Sequence, residues 1–234
     1  MIKGFSIYPY IIFMSVIIGI CVQIYLAAKK GFSLFDLIMY VGFECFGIIF
    51  GSKTINFIFN NPNNLNFFKV GLNSSGALLG AILMILLYSF ARKKEINSCF
   101  TIFVLSTPLI YSIGKIGCYI SGCCVGFVYD GIGKVYYKYV QNPTNMSYFP
   151  IQLIESITFF IFFIIVFFKF NQKQDNKLLC SKTLIIGGTI KFILDYFRLD
   201  HVSKIITINQ LLSIFIVLIG IWLFLQDKKI TDIK

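Results

Sequence analysis

Charge is what this 234-residue chain has least of: Asp, Glu, Lys and Arg together make up 13% of it, against about 25% in a soluble domain. With 57% of positions apolar and a mean hydropathy of +0.81, that scarcity excludes a disordered tail, a nucleic-acid-binding domain and an ordinary cytosolic enzyme. Alternation of apolar and polar residues is missing too, which excludes an outer-membrane barrel. Histidine is reduced to one residue, His201, which falls just beyond an apolar block and reads as an interfacial bystander. What the chain has instead is long apolar blocks, rich in Phe, Ile and Tyr. The net charge of +11 is therefore read as membrane topology rather than as affinity for nucleic acid.

A membrane span needs about 20 mostly apolar residues. Blocks between polar breaks predict an all-α polytopic membrane protein with about seven transmembrane helices, over 7–28, 34–58, 71–91, 99–121, 150–168, 183–199 and 206–226. The sixth is the least apolar, interrupted by Lys191, Asp195 and Arg198. Lys29, Lys30, Arg92, Lys93 and Lys94, the lysines between the fifth and sixth blocks, and those after the seventh put twelve bases on one side, against six on the other. The positive-inside rule then places the N-terminus outside and the C-terminus in the cytoplasm. No small-residue cleavage site follows the first block, which reads as a retained helix. Residues 1–234 are expected to form a single transmembrane domain.

Ionisable groups within a span cost at least about 2.5–3.5 kcal/mol at its centre, so each is a functional hypothesis. Lys191, Asp195 and Arg198 are spaced i, i+4, i+7, which predicts one helical face. Asp195 neutralises one base and leaves about one positive charge directed inward, which favours an anion site over the other reading, three side chains that only bridge helices. At the outer end of the fourth span runs Gly114-Lys115-Ile-Gly117-Cys118-Tyr-Ile-Ser-Gly122-Cys123-Cys124. Its glycines allow close approach of a backbone or ligand. Its three cysteines leave a disulfide, a zinc ligand set and free thiols beside Lys115 open. The usual zinc spacing is absent, and neither a metal nor a cofactor is assigned. A regular helix does not place Cys118 beside Cys123, unless Gly122 breaks it. Cys21, Cys45, Cys99 and Cys180 are scattered and read as packing residues. Gln152 and Glu155 share a face at the start of the fifth span, after Pro150, as a ligand contact or a helix cap. Asn73, Ser74 and Ser75 are expected to cap the third span, with Gly76 and Gly80 as a close-packing pair. Lys53 in the second span either snorkels to the surface or contributes to the site.

In this order on seven spans, Gly51-Ser52-Lys53, Gly71–Gly80, Gly114–Gly126, Pro150-Ile-Gln152-Leu-Ile-Glu155, Lys191–Arg198 and Ile208-Asn209-Gln210-Leu-Leu-Ser213 resemble the prolipoprotein diacylglyceryl transferase family. The resemblance implies a multi-pass enzyme of the bacterial plasma membrane. Such an enzyme moves the diacylglyceryl group of phosphatidylglycerol to the lipobox cysteine thiol of a preprolipoprotein and releases glycerol phosphate. By this resemblance Lys53, Lys115 and Lys191 stand where the family has arginine, Asp195 stands at a family Glu, and Arg198 matches directly. Ser75 replaces the family's functional histidine, and Cys118 and Cys123 replace its Asn and Glu. The expectation is a divergent transferase with Cys118, Cys123, Lys191, Asp195 and Arg198 catalytic, the thiols serving as thiolate base or covalent relay. Lys53, Ser75, Gly76, Lys115, Gly117, Gln152, Glu155 and Gln210 are expected to bind the phospholipid. Two alternatives are a thiol-redox enzyme using Cys118, Cys123 and Cys124, and a lipid-binding relative without chemistry.

Overall fold

The computed structural model describes residues 7–59, 66–70, 74–94, 96–137, 146–172, 176–202 and 205–231. Among them are seven α-helices: α1 (Tyr8–Lys29), α2 (Leu34–Phe59), α3 (Ser74–Ala91), α4 (Ile96–Ser121), α5 (Ile151–Asn171), α6 (Asn176–Asp195) and α7 (Ile208–Thr231). Five of them, α1, α2, α4, α5 and α7, contain stretches long and apolar enough to cross a membrane. In α3 the apolar stretch is shorter, Gly76–Ala91. The all-helical polytopic architecture follows the apolar blocks, because backbone groups in lipid must be satisfied within their own segment.

The sixth block departs from expectation. Helix α6 begins at Asn176 and ends at Asp195, so Arg198 does not continue the helical face of Lys191 and Asp195. The chain leaves the helix because other backbone claims it. Phe127 N–H donates to Phe197 O at 3.1 Å, and Leu199 N–H donates to Val125 O at 3.1 Å. An extended segment after α4 thereby pairs with the residues after α6. The same segment is held on its other side by Tyr129 N–H to Ser147 O and Phe149 N–H to Phe127 O. The rings of Phe127 and Phe149 stack on one another, and that of Phe197 lies tilted against both.

The chain divides into two compact units, residues 23–102 and residues 1–22 with 103–234. In the first, α2 and α3 pack face to face. Gly47 and Gly51 of α2 lie against Gly80 and Gly76 of α3 so closely that a Cβ on any of the four would overlap the facing backbone or side chains, the small-residue contact that lets membrane helices associate. Ser33 begins α2 by accepting the Asp36 N–H, and Asp36 pairs with Arg92 at 3.0 Å and Lys94 at 2.7 Å. The start of α2 and the basic end of α3 are thus tied together. Asn73 and the side chains of Ser74 and Ser75 lie outside the described residues.

In the second unit α1 crosses α4 over bare positions. The Gly117 Cβ position lies 3.2 Å from Ile11 and 3.3 Å from Tyr8. Helix α6 packs on α7, with Gly188 against Val217 and Gly220 against Ile185. Thr207 and Gln210 open α7 as a capping box: the Gln210 N–H reaches Thr207 Oγ1, and the Thr207 N–H reaches Gln210 Oε1, each at 3.2 Å.

Candidate functional site

Three helices and one turn converge on Glu155. The residue sits one turn into α5 and has no solvent exposure, so its charge must be met within the protein. Helix α4 supplies Lys115, whose Nζ lies 2.7 Å from Glu155 Oε2. It also supplies Tyr111, one turn earlier, whose hydroxyl donates to Oε1 at 2.8 Å. Helix α6 supplies Lys191, donating to Oε1 at 2.7 Å. The turn beyond α6 supplies Arg198, whose Nη2 donates to both oxygens at 3.0 and 3.2 Å.

A second carboxylate closes the cluster. Asp195, also without exposure, lies 3.5 Å from Lys191 and 3.2 Å from Arg198 Nε through Oδ1. Its Oδ2 accepts from Thr207 Oγ1 and lies 3.7 Å from His201 Nε2. Three cations therefore face two carboxylates, and one positive charge is left over among side chains that are buried except for a partly exposed Lys191. Both lysines also stand over the Tyr111 ring, at 5.1 and 5.3 Å, a contact that favours a cation most where water is excluded. Arg198 is placed by backbone pairing rather than by a helical face, as the bridge to Gly126 requires.

The thiols lie where α4 ends. Gly122, at φ +69°, adopts the left-handed conformation that glycine takes without strain. It ends the helix in a Schellman turn: Gly122 N–H donates to Tyr119 O at 3.3 Å and Cys123 N–H to Cys118 O at 3.1 Å. That turn folds Cys123 back over the last helical turn, with Ser121 Oγ 3.2 Å from its Sγ. Cys118 is buried, Cys123 half-buried and Cys124 exposed, and all three are free. Hydrogen bonds from Cys118 and Cys123, with the charges of Lys115 and Arg198 behind them, hold the Cys124 thiol below its ordinary range. Gln152 joins the thiol turn to α5: its Nε2 donates to Cys123 O at 2.9 Å, while Tyr137 donates to its Oε1 at 2.9 Å. Burial pushes Tyr137 up to about 12, so it remains a donor.

Of the residues singled out in the sequence, Lys115, Glu155, Lys191, Asp195 and Arg198 meet directly, and Gln152, Cys118 and Cys123 adjoin them through the turn. Gly117 faces α1, and Gln210 is engaged in the cap of α7. Lys53 and Gly76 belong to the 23–102 unit, where Lys53 Nζ donates to Phe68 O at 2.8 Å and Val70 O at 3.4 Å and Gly76 packs on Gly51. Tyr111, Tyr137 and Thr207 were not singled out. Tyr111 had a signal, standing four residues before Lys115, and so did Thr207, which opens a Thr-x-x-Gln pattern. Tyr137 had none.

Fold and cluster define a polytopic helical membrane protein with a buried, net-positive site fed by several helices. The family model for prolipoprotein diacylglyceryl transferase matches residues 2–226, and the chain belongs to that family. A phosphatidylglycerol–prolipoprotein diacylglyceryl transferase of Clostridium tetani is 27% identical over 175 residues, covering 73% of this chain and 70% of the relative. The Ehrlichia canis protein of the same name is 30% identical over 72% of this chain and 67% of its own length. A second clostridial relative, phosphatidylglycerol–prolipoprotein diacylglyceryl transferase 2 of Clostridium perfringens, is 27% identical. That match spans 65% of this chain but less than two thirds of the relative, 61%.

Proposed function

We propose that this chain is a divergent diacylglyceryl transferase, moving a diacylglyceryl group from an anionic phospholipid, phosphatidylglycerol, to a thiol acceptor at the outer leaflet of a bacterial plasma membrane. The observation that carries this reading is the convergence of Lys115, Lys191 and Arg198 on Glu155 with one positive charge in excess. A phosphate has the charge and the oxygens to take up those donors. As the glyceryl carbon–oxygen bond breaks, negative charge builds on the phosphate oxygen, and preorganised cations lower the barrier for that step. Glu155 holds the three cations together before substrate arrives, and Asp195 orients Arg198 and Lys191. Lysine at two of the three positions gives point charges rather than the bidentate fork of arginine, so Arg198 sets the orientation of the phosphate. Cys118 and Cys123 mark the side from which the acceptor thiol enters.

The test is incubation of purified protein with labelled phosphatidylglycerol and a peptide carrying a lipobox cysteine. Glycerol phosphate release and a peptide heavier by one diacylglyceryl group are expected, with Lys191→Ala losing both and Lys191→Arg retaining them. Neither product from the unaltered protein overturns the reading. Ser75 at the family's histidine position favours a second reading, lipid binding without transfer. Anionic phospholipid that co-purifies with a transfer-negative protein would establish it.

A further inference from the structure

Beside the charge cluster the densest chemistry in the described residues is sulfur. The sulfur atoms of Cys118, Cys123 and Cys124 all lie within 4.8 Å of one another, although residues five apart do not meet on a regular helix. Two backbone features bring them together, the Schellman turn at Gly122 and the φ of +53° at Cys124. A non-glycine residue holds that left-handed conformation only where its surroundings impose it, and such positions gather at functional sites. We propose that Cys118, Cys123 and Cys124 are the three protein ligands of a single zinc ion whose fourth position takes the acceptor thiol. This inference rests on the transfer reading above and deepens it.

The fit is geometric. Tetrahedral zinc at about 2.3 Å from each sulfur sets the sulfurs about 3.8 Å apart, so the thiols need close by about 1 Å at most. Ser121 Oγ already bonds Cys123 Sγ, the kind of outer contact that orients metal ligands. Among the described residues the group has three members and no fourth Cys, His or carboxylate. Three protein ligands with one open position mark catalytic rather than structural zinc. The exposure of Cys124 leaves an approach for an incoming thiol. Zinc with three thiolates carries one negative charge, and the neighbouring cluster carries one positive charge in excess. Transfer moves no electrons between redox states, so a redox-inert ion suits it.

The step balances without a further reagent. The acceptor thiol binds zinc and gives its proton to water, since a coordinating thiol is deprotonated outright. The zinc-held thiolate attacks the glyceryl carbon and a carbon–sulfur bond forms. The carbon–oxygen bond to phosphate breaks, and its electron pair leaves on glycerol phosphate between Lys115, Lys191 and Arg198. The product is a neutral thioether, a poor zinc ligand, and it dissociates.

The test uses the full chain, purified reduced in detergent without chelator. One zinc per chain is expected in the unaltered protein and in Cys21→Ser, and none in Cys118→Ser or Cys124→Ser. The cobalt-loaded unaltered protein, which needs no variant to fold, is expected to show sulfur-to-cobalt charge transfer and tetrahedral absorption. N-acetylcysteine amide is expected to shift those bands, and N-acetylserine amide to leave them in place. Metal-free reduced thiols, a disulfide among the three, or a cobalt spectrum indifferent to the thiol overturns the zinc site. Glycerol phosphate release undiminished after zinc is stripped overturns its role and leaves the transfer reading standing. A thiol-responsive cobalt spectrum without any release does the reverse.

Discussion

At the scale of single residues, Glu155 is the one on which most else depends. Its two oxygens receive Lys115, Lys191, Arg198 and Tyr111, and the residue itself has no solvent exposure. Removing one partner of a buried ion pair costs about 3–5 kcal/mol, because the other charge stays buried. Glu155→Gln leaves three cations against Asp195 alone, and a loss of at least that size is expected in chemical unfolding of the detergent-solubilised protein. A midpoint within error of the unaltered chain would show that the cluster does not hold α4, α5 and α6 together. Tyr137 gives a pH dependence of known sign. Its hydroxyl is raised from 10.0 to about 12 by burial, so its share of stability is complete below pH 10 and lost as pH rises towards 12. Tyr137→Phe is expected to abolish that alkaline component while costing about 1 kcal/mol at neutral pH. The residues of the cluster were legible in the sequence because charge inside an apolar block is expensive. Their arrangement was not, since nothing in the spacing of α5 says that Glu155 faces two other helices.

At the scale of elements, helix ends decide the chemistry more than helix interiors do. Apolar blocks gave the seven helices to within a few residues at most ends, because lipid leaves the backbone few alternatives. The end of α6 escaped that logic: a bridge between Gly126 and Arg198 is a pairing across some 70 positions, and periodicity within one block carries no trace of it. The end of α4 was half legible, since Gly122 announced a break without saying where Cys123 would go. Gly122→Ala tests the turn. A Cβ in the left-handed region costs about 1–2 kcal/mol, and the same strain releases Cys123 from Cys118. Capture of the thiols by a bifunctional arsenical is expected to slow at least several-fold relative to the unaltered chain. Unchanged capture would mean that the thiols do not depend on the turn. For α2 and α3, Gly80→Leu is expected to abolish the folded 23–102 contact and with it detergent-stable protein, measured by size-exclusion chromatography after mild heating, because the overlap there is with backbone.

At the scale of the whole molecule, function turns on which side of the membrane the charge cluster faces. Charge counting along the sequence gives the expectation that the basic connections are cytoplasmic. Contacts inside each unit show, for that unit by itself, which connections share an end. Asp36 gathers Arg92 and Lys94 beside the start of α2. In the other unit the ends of α4 and α6 and the starts of α5 and α7 meet around the 125–129 segment and Asp195. Glu155 lies near that gathered end, 16 residues and about 24 Å along α5 from its last residue, at a rise of about 1.5 Å per residue. Lys169, in the last turn of α5, therefore belongs to the end away from the cluster, and if that end is cytoplasmic the cluster opens outward, where lipid acceptors crossing the membrane are met. A fluorescent protein fused after Lys234 is expected to fluoresce, alkaline phosphatase at the same point to be inactive, and a protease site inserted at the fully exposed Ile132 to be cut from outside intact cells. Active phosphatase after Lys234 with an uncut loop would turn the cluster towards the cytoplasm, and transfer at the outer leaflet would then have no site to occur in.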